Sequence, residues 1–185
     1  MKRATIHASS FQKLGLHMPR LIVTGLSVGL LSAQAAAPLA FDRFAGRWAG
    51  TLEYQDYGAD RRVKIPVSLN IRPNGAVSAT WNFQYDDFGT TVSSLETHRW
   101  KAGTYAVTTL GQPEVQRYTS RDFPALISGR GDKAVLMGTQ VENAQRVEIR
   151  RTITLGRTTL ITLTETRAPG STFAFRNRSS YIRVP

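Results

Sequence analysis

The chain has 185 residues and no cysteine, with 24 basic against 13 acidic side chains and a net charge of +11. That length suffices for one domain with a real core, and the fold must stand without disulfides. The basic excess points toward anionic ligands or anionic surfaces.

The first element is a leader. Lys2, Arg3, Lys13 and Arg20 are the only charges before Asp42, and the apolar run Leu21–Leu31 ends in the small-residue tract Ala33, Gln34, Ala35. A positive region, a short apolar core and an A-x-A exit are the three parts of a secretory signal. The run is too short to cross a bilayer, which takes roughly 20 residues. Cleavage is expected after Ala35, because a cut after Ala37 would set Pro38 beside the scissile bond. Met18-Pro19-Arg20 ahead of the apolar run would make a compact leader by itself, which suggests translation from Met18. With 1–35 as signal peptide and 36–185 as the mature domain, four basic residues are lost and the charge falls to +7. The expected location is the bacterial periplasm or the exterior. Partners there include an anionic envelope surface but not nucleic acid, and the mature chain is expected to carry no transmembrane segment.

After the leader, period-two alternation dominates. A first strand is predicted over 46–57. Val63, Ile65, Val67, Leu69 and Ile71 then alternate with Arg62, Lys64, Pro66, Ser68 and Asn70, the signature of a strand with one buried face. Pro66 cannot donate to a ladder, so an edge or a bulge is expected there. Arg72-Pro73-Asn74-Gly75 is a turn, and Val77, Ala79, Trp81, Phe83 and Tyr85 resume the alternation, which makes a β-hairpin. Further strands are predicted over 90–100, 103–110, 114–121, 133–142, 145–155, 157–167 and 172–184. Their punctuation is Gly103, Gly111-Gln112-Pro113, Ser128–Asp132, Gly156 and Pro169-Gly170. No stretch shows helical periodicity. Such strands suggest a barrel or a sandwich; the fold class is all-β, and a single antiparallel up-and-down barrel of about 8–10 strands is favoured, since closure removes the free edges of an open sheet. Aromatic side chains are expected inside, which speaks for a soluble barrel rather than an outer-membrane one.

The first strand opens with Phe44-Ala45-Gly46-Arg47-Trp48. This G-x-W element, heading an antiparallel meander, resembles the calycin superfamily of lipocalins, fatty-acid-binding proteins, avidins and nitrobindin-like barrels. The resemblance implies structural roles for Gly46, where the backbone must approach closely, and for Trp48, which would plug the closed end. It also implies a late-strand arginine over the indole, with Arg176, Arg178 and Arg183 as candidates. The further lipocalin motifs and a C-terminal helix are absent. Nitrobindin-like barrels bind haem through a late histidine, and no histidine follows His98. No cofactor is expected.

The candidate ligand-binding residues follow from parity. Trp81, Phe83 and Tyr85 line the interior with Ile65, Val67, Leu69, Trp48, Leu52 and Tyr54, and Phe173 and Phe175 join them from the last strand. Arg151 shares its face with Val147, Ile149, Ile153 and Leu155, and Glu165 shares its face with Ile161 and Leu163. Each is a charge on an otherwise apolar face, so Arg151 is expected either to pair with Glu165 or to hold a ligand carboxylate. His98, with Glu96 two residues earlier, reads as a solvated surface group rather than a metal ligand or a catalytic base. Arg130-Gly131-Asp132 reads as turn chemistry. The expected function is binding of a small apolar or amphipathic molecule in the barrel. The alternatives are a barrel enzyme of isomerase or cyclase type, and a filled barrel acting through its basic surface.

Overall fold

A computed structural model describes residues 40–142 and 144–185. The expected leader, its cleavage after Ala35 and the start at Met18 lie outside the described residues. Ten strands run in sequence order: β1 Gly46–Asp56, β2 Arg61–Pro73, β3 Ser78–Asp87, β4 Thr90–Lys101, β5 Thr104–Thr109, β6 Val115–Thr119, β7 Lys133–Glu142, β8 Gln145–Leu155, β9 Thr159–Arg167 and β10 Ala174–Val184. Each pairs antiparallel with its neighbours in the chain, and β10 closes on β1 from Arg47↔Val184 to Tyr54↔Asn177. The expected all-β, up-and-down barrel is therefore the observed one, with its strands close to the predicted ranges.

The alternation of β2 does what its pattern dictates. Val63, Ile65, Val67, Leu69 and Ile71 are buried and their neighbours face out. Pro66 is neither at an edge nor in a bulge, contrary to expectation. It pairs with Thr51 of β1, while the ladder to β3 stops at Val67, one residue short of it. The missing N–H falls where one ladder has already ended.

One element was not expected. Phe123–Ile127 form a single helical turn, α1, in the β6–β7 connection, with Pro124 at its start. Proline suits that position because its fixed φ is helical and the first N–H groups of a helix have no partner in it. Ser120 Oγ accepts from the N–H groups of Asp122 and Phe123. Arg130 and Gly131 N–H groups return to the Ala125 carbonyl, so Arg130-Gly131-Asp132 sits in the turn that leaves the helix. Phe123 and Leu126 point inward and are fully buried. They meet a 3-10 turn, Asp42–Phe44, and the rings of Phe41, Phe44, Trp100 and Tyr105 lie 4.8–6.3 Å from Phe123. These aromatic groups seal one end of the barrel.

Trp48 anchors that seal. Its indole N–H donates to the Phe44 carbonyl at 2.9 Å, and the Arg183 guanidinium covers its ring at 4.1 Å. Among the three candidate arginines, Arg183 therefore holds the position over the indole. Arg176 instead pairs with Glu142 at 2.6 Å. Gly46 has φ +121°, and a Cβ there would come within 2.9 Å of the Arg183 guanidinium. Only glycine tolerates both constraints.

Candidate functional site

The site grows from the register between β3 and β4. Their turn, Phe88-Gly89, joins Asp87 to Thr90 and sets Trp81 opposite Glu96 and Ala79 opposite His98. Because Trp81 and Ala79 face inward, Glu96 and His98 must do so too. His98 is fully buried, against the sequence expectation of a solvated surface group. Its ring stacks on Trp81, with centroids 4.1 Å apart and planes 15° apart.

His98 joins two partners. Its Nε2 lies 2.8 Å from Glu96 Oε2 and its Nδ1 lies 2.6 Å from the Tyr105 hydroxyl. Burial lowers the His98 pKa below the ordinary 6.5, so the ring is neutral at physiological pH. Burial alone would raise Glu96, but the His98 hydrogen bond and the Arg151 charge outweigh it and keep the carboxylate ionised. The tautomer follows from these two states. Nε2–H donates to Glu96, and the Tyr105 O–H donates to Nδ1. Burial pushes the Tyr105 hydroxyl well above its usual range, which keeps that proton in place.

Opposite this relay stands Arg151, on the inner face of β8 between the buried Ile149 and Ile153. Burial opposes its charge, while Tyr118, Tyr105 and Glu96 favour it. Its Nε is buried and has no hydrogen-bond partner, and the same holds for Trp81 Nε1. Buried polar groups are nearly always satisfied, so two unpartnered donors on residues around one interior space single that space out.

That place is a chamber of about 260 Å³. Leu52, Trp81, Phe83, Tyr85 and Ile149 form its apolar and aromatic wall. Glu96, Tyr118, Arg151, Thr162, Thr164, Asn177, Ser179 and Tyr181 form its polar wall, with Gln140 and Arg176 also lining it. Burial pushes Tyr181 up to about 12 and Tyr85 higher still, so both remain hydroxyl donors at neutral pH. A larger hollow of about 480 Å³ lies outside the barrel along the β6–β7 seam and contains no buried charge.

Of the residues singled out from sequence, Trp81, Phe83, Tyr85 and Arg151 come together in this chamber. Glu165, Phe173 and Phe175 do not. The β8–β9 register sets Leu155 opposite Leu160 and Arg151 opposite Thr164, so Leu160, Thr162, Thr164 and Thr166 face inward. Glu165 therefore faces out, opposite Arg150, and binds it through both carboxylate oxygens at 2.8 and 2.9 Å. The expected Arg151–Glu165 pair does not form. Phe175 shares Glu165's outer face and lies under Arg62 at 4.0 Å, and Phe173 lies under Arg150 and Arg167 at 4.2 and 4.6 Å. These rings cover surface arginines instead of lining the interior. Sequence reading missed Glu96, His98 and Tyr105, although the two-residue turn at 88–89 carries the parity that places the first two.

Among the described residues, no group of three or more His, Cys, Asp or Glu side chains is placed to hold a metal ion. No helix among them is long and apolar enough to cross a membrane.

A closed antiparallel meander, a G-x-W opening strand and an arginine over its tryptophan define a calycin-like β-barrel. Solved structures share this fold. The crystal structure of Rv2717c from M. tuberculosis is similar over 80% of this chain and 99% of that one, with 17% identity and a TM-score of 0.55. The S-type phycobiliprotein lyase CPES from Guillardia theta is similar over 78% of this chain and 90% of that one, with 11% identity and a TM-score of 0.52. At such identities the likeness is one of fold. No protein-family model matches the chain, and no curated protein matches it in sequence.

Proposed function

We propose that this barrel binds a small amphipathic molecule, with its anionic head at Arg151 and its flat apolar body against Trp81, Phe83 and Tyr85. The observation that carries this reading is the buried Arg151 guanidinium lining the chamber, with an Nε that no protein group accepts from. A buried guanidinium with an open N–H suits a planar carboxylate, whose oxygens accept in the same fork geometry. The tyrosine and threonine hydroxyls supply further donors around the head group. At about 30 Å³ for each water, the 260 Å³ chamber has the volume of roughly nine waters, so a small aromatic or short-chain acid fits and a long acyl chain does not. One similar barrel is a phycobiliprotein lyase, which is compatible with a ligand-handling role. Export through the leader would place this binding in the periplasm or outside the cell, where intact mass of the recovered protein reports cleavage after Ala35.

The binding test uses benzoate, phenylacetate and phenylpyruvate, followed by calorimetry and by quenching of tryptophan fluorescence. Hydrogen bonds to a charged group are worth about 1.5–3 kcal/mol. Arg151→Met should therefore weaken binding by about 10- to 100-fold, and Arg151→Lys should restore only part of it. Thermal melts of both variants check that the barrel is intact. Equal affinity in wild type and Arg151→Met would rule out the proposed orientation.

A further inference from the structure

We propose that the chamber is also an acid–base site, in which Glu96 moves a proton on a bound oxo acid and so interconverts its keto and enol isomers. This rests on the binding reading above and adds a reaction to it.

The geometry separates three roles. Glu96 lines the chamber with one carboxylate oxygen tied to His98, which leaves the other for a ligand. His98 is sealed between Trp81 and Tyr105 and cannot reach a ligand, so it is a positioning residue that fixes the carboxylate's orientation. Arg151 supplies positive charge on the same chamber, and Tyr85 and Tyr181, whose hydroxyls burial keeps protonated, supply donors. A carboxylate base, a fixed cation and neutral hydroxyls around one small space are what enolisation requires, since negative charge develops on a carbonyl oxygen as the proton leaves carbon. A buried ionised carboxylate on a buried imidazole and phenol is a poor way to fill a core, because apolar residues of the same size pack without the desolvation cost. A carboxylate held below its ordinary range is a weaker base, and it suffices where donors stabilise the enolate.

The step balances within the chamber. In the keto-to-enol direction the C–H bond next to the carbonyl breaks and its proton joins Glu96. The C–H electron pair forms the carbon–carbon double bond while the carbonyl π pair moves to oxygen, facing Arg151 and a tyrosine hydroxyl. Glu96 then gives its proton to that oxygen. The reverse direction takes the proton from the enol oxygen and delivers it to carbon. Nothing is oxidised, and no co-reactant is consumed.

The experiment follows the keto–enol interconversion of phenylpyruvate by ultraviolet absorbance, with its binding measured separately by tryptophan quenching. A positioned general base contributes typically 10²–10⁴-fold. Wild type should accelerate the interconversion over buffer, and Glu96→Gln should lose at least about 100-fold of that with binding retained. Glu96→Asp, a shorter base that keeps the charge, should fall between them and serves if the Gln variant does not fold. His98→Asn should move the acidic limb of the pH profile, because Glu96 loses the imidazole bond while the groups facing it from other strands, Tyr85, Tyr105, Tyr118, Arg151 and Tyr181, stay in place. Binding without acceleration, or equal rates in wild type and Glu96→Gln, overturns the proton-transfer role and leaves the binding reading standing. Failure of phenylpyruvate to bind wild type overturns the reaction, and failure of benzoate and phenylacetate as well overturns both.

Discussion

Arg183 acts on four groups at the closed end of the barrel. Its guanidinium covers the Trp48 ring, donates to the Arg157 carbonyl at 3.3 Å, donates to the Ala45 carbonyl and donates to the Arg43 carbonyl at 2.8 Å. The last two contacts satisfy carbonyls in the segment that leads into β1, so one side chain ties the chain's entry to its final strand. A cation–π contact is worth about 0.5–2 kcal/mol and a hydrogen bond to a charged group about 1.5–3, and such contributions are not additive. Arg183→Met, which keeps the apolar cover over the indole, should lower stability in urea by about 2 kcal/mol. Arg183→Lys should recover less than half, because an ammonium cannot span both carbonyls while lying over the ring. An unchanged unfolding midpoint in the Met variant would mean that Trp48 is held by packing alone. Trp48→Ala is the harsher change, with an expected cost of about 3–5 kcal/mol for a buried indole.

At the scale of elements, strand existence was legible and strand facing was legible only in part. β2 and β3 have interiors of valine, isoleucine, leucine and aromatic groups, so alternation and facing coincide. β9 breaks that link. Its inner face carries Leu160, Thr162, Thr164 and Thr166, while Ile161 and Leu163 sit on the outer face, half-buried. Hydropathy points the wrong way there because this part of the barrel lines a polar chamber and favours hydroxyls within. β4 shows the same inversion, with Glu96 and His98 inside and Leu95 exposed outside. Turn length is the better guide in both strands, since a tight turn fixes register whatever the side chains are. The consequence is measurable as a pair of double-mutant cycles. Arg150 and Glu165, a half-exposed bidentate pair, should couple by up to about 1 kcal/mol. Arg151 and Glu165 lie on opposite faces and should show no coupling. A coupling of several kcal/mol between the latter two would restore the buried pair that the sequence suggested and would put β9 in the other register.

Across the whole molecule, the buried titratable groups bound the pH range in which the barrel is stable. His98 has a folded pKa below its unfolded value of 6.5. As pH falls past 6.5 the unfolded chain takes up a proton that the folded ring refuses, so stability drops, by at most about 1.4 kcal/mol per pH unit. Glu96, lowered from 4.5, acts in the same direction in a lower window, because its ionised state is favoured only in the folded barrel. Tyr85, Tyr105 and Tyr181 act at the other end. All three are raised from 10.0, so above that pH the unfolded chain loses protons that the folded barrel keeps, and stability falls again. The expected profile is a plateau from about pH 6.5 to 10, a shallow shoulder below it and a steeper alkaline limb carried by up to three protons. His98 is the only histidine after residue 17, which makes the shoulder between pH 6.5 and 4.5 its own signature. Urea midpoints measured across pH 4.5–11 should show that shoulder in wild type and lose it in His98→Asn, with the alkaline limb unchanged. A shoulder that survives the substitution would mean that His98 is protonated in the folded barrel. The neutral relay from Tyr105 through His98 to Glu96 would then be misassigned, and with it the orientation of the carboxylate that faces the chamber.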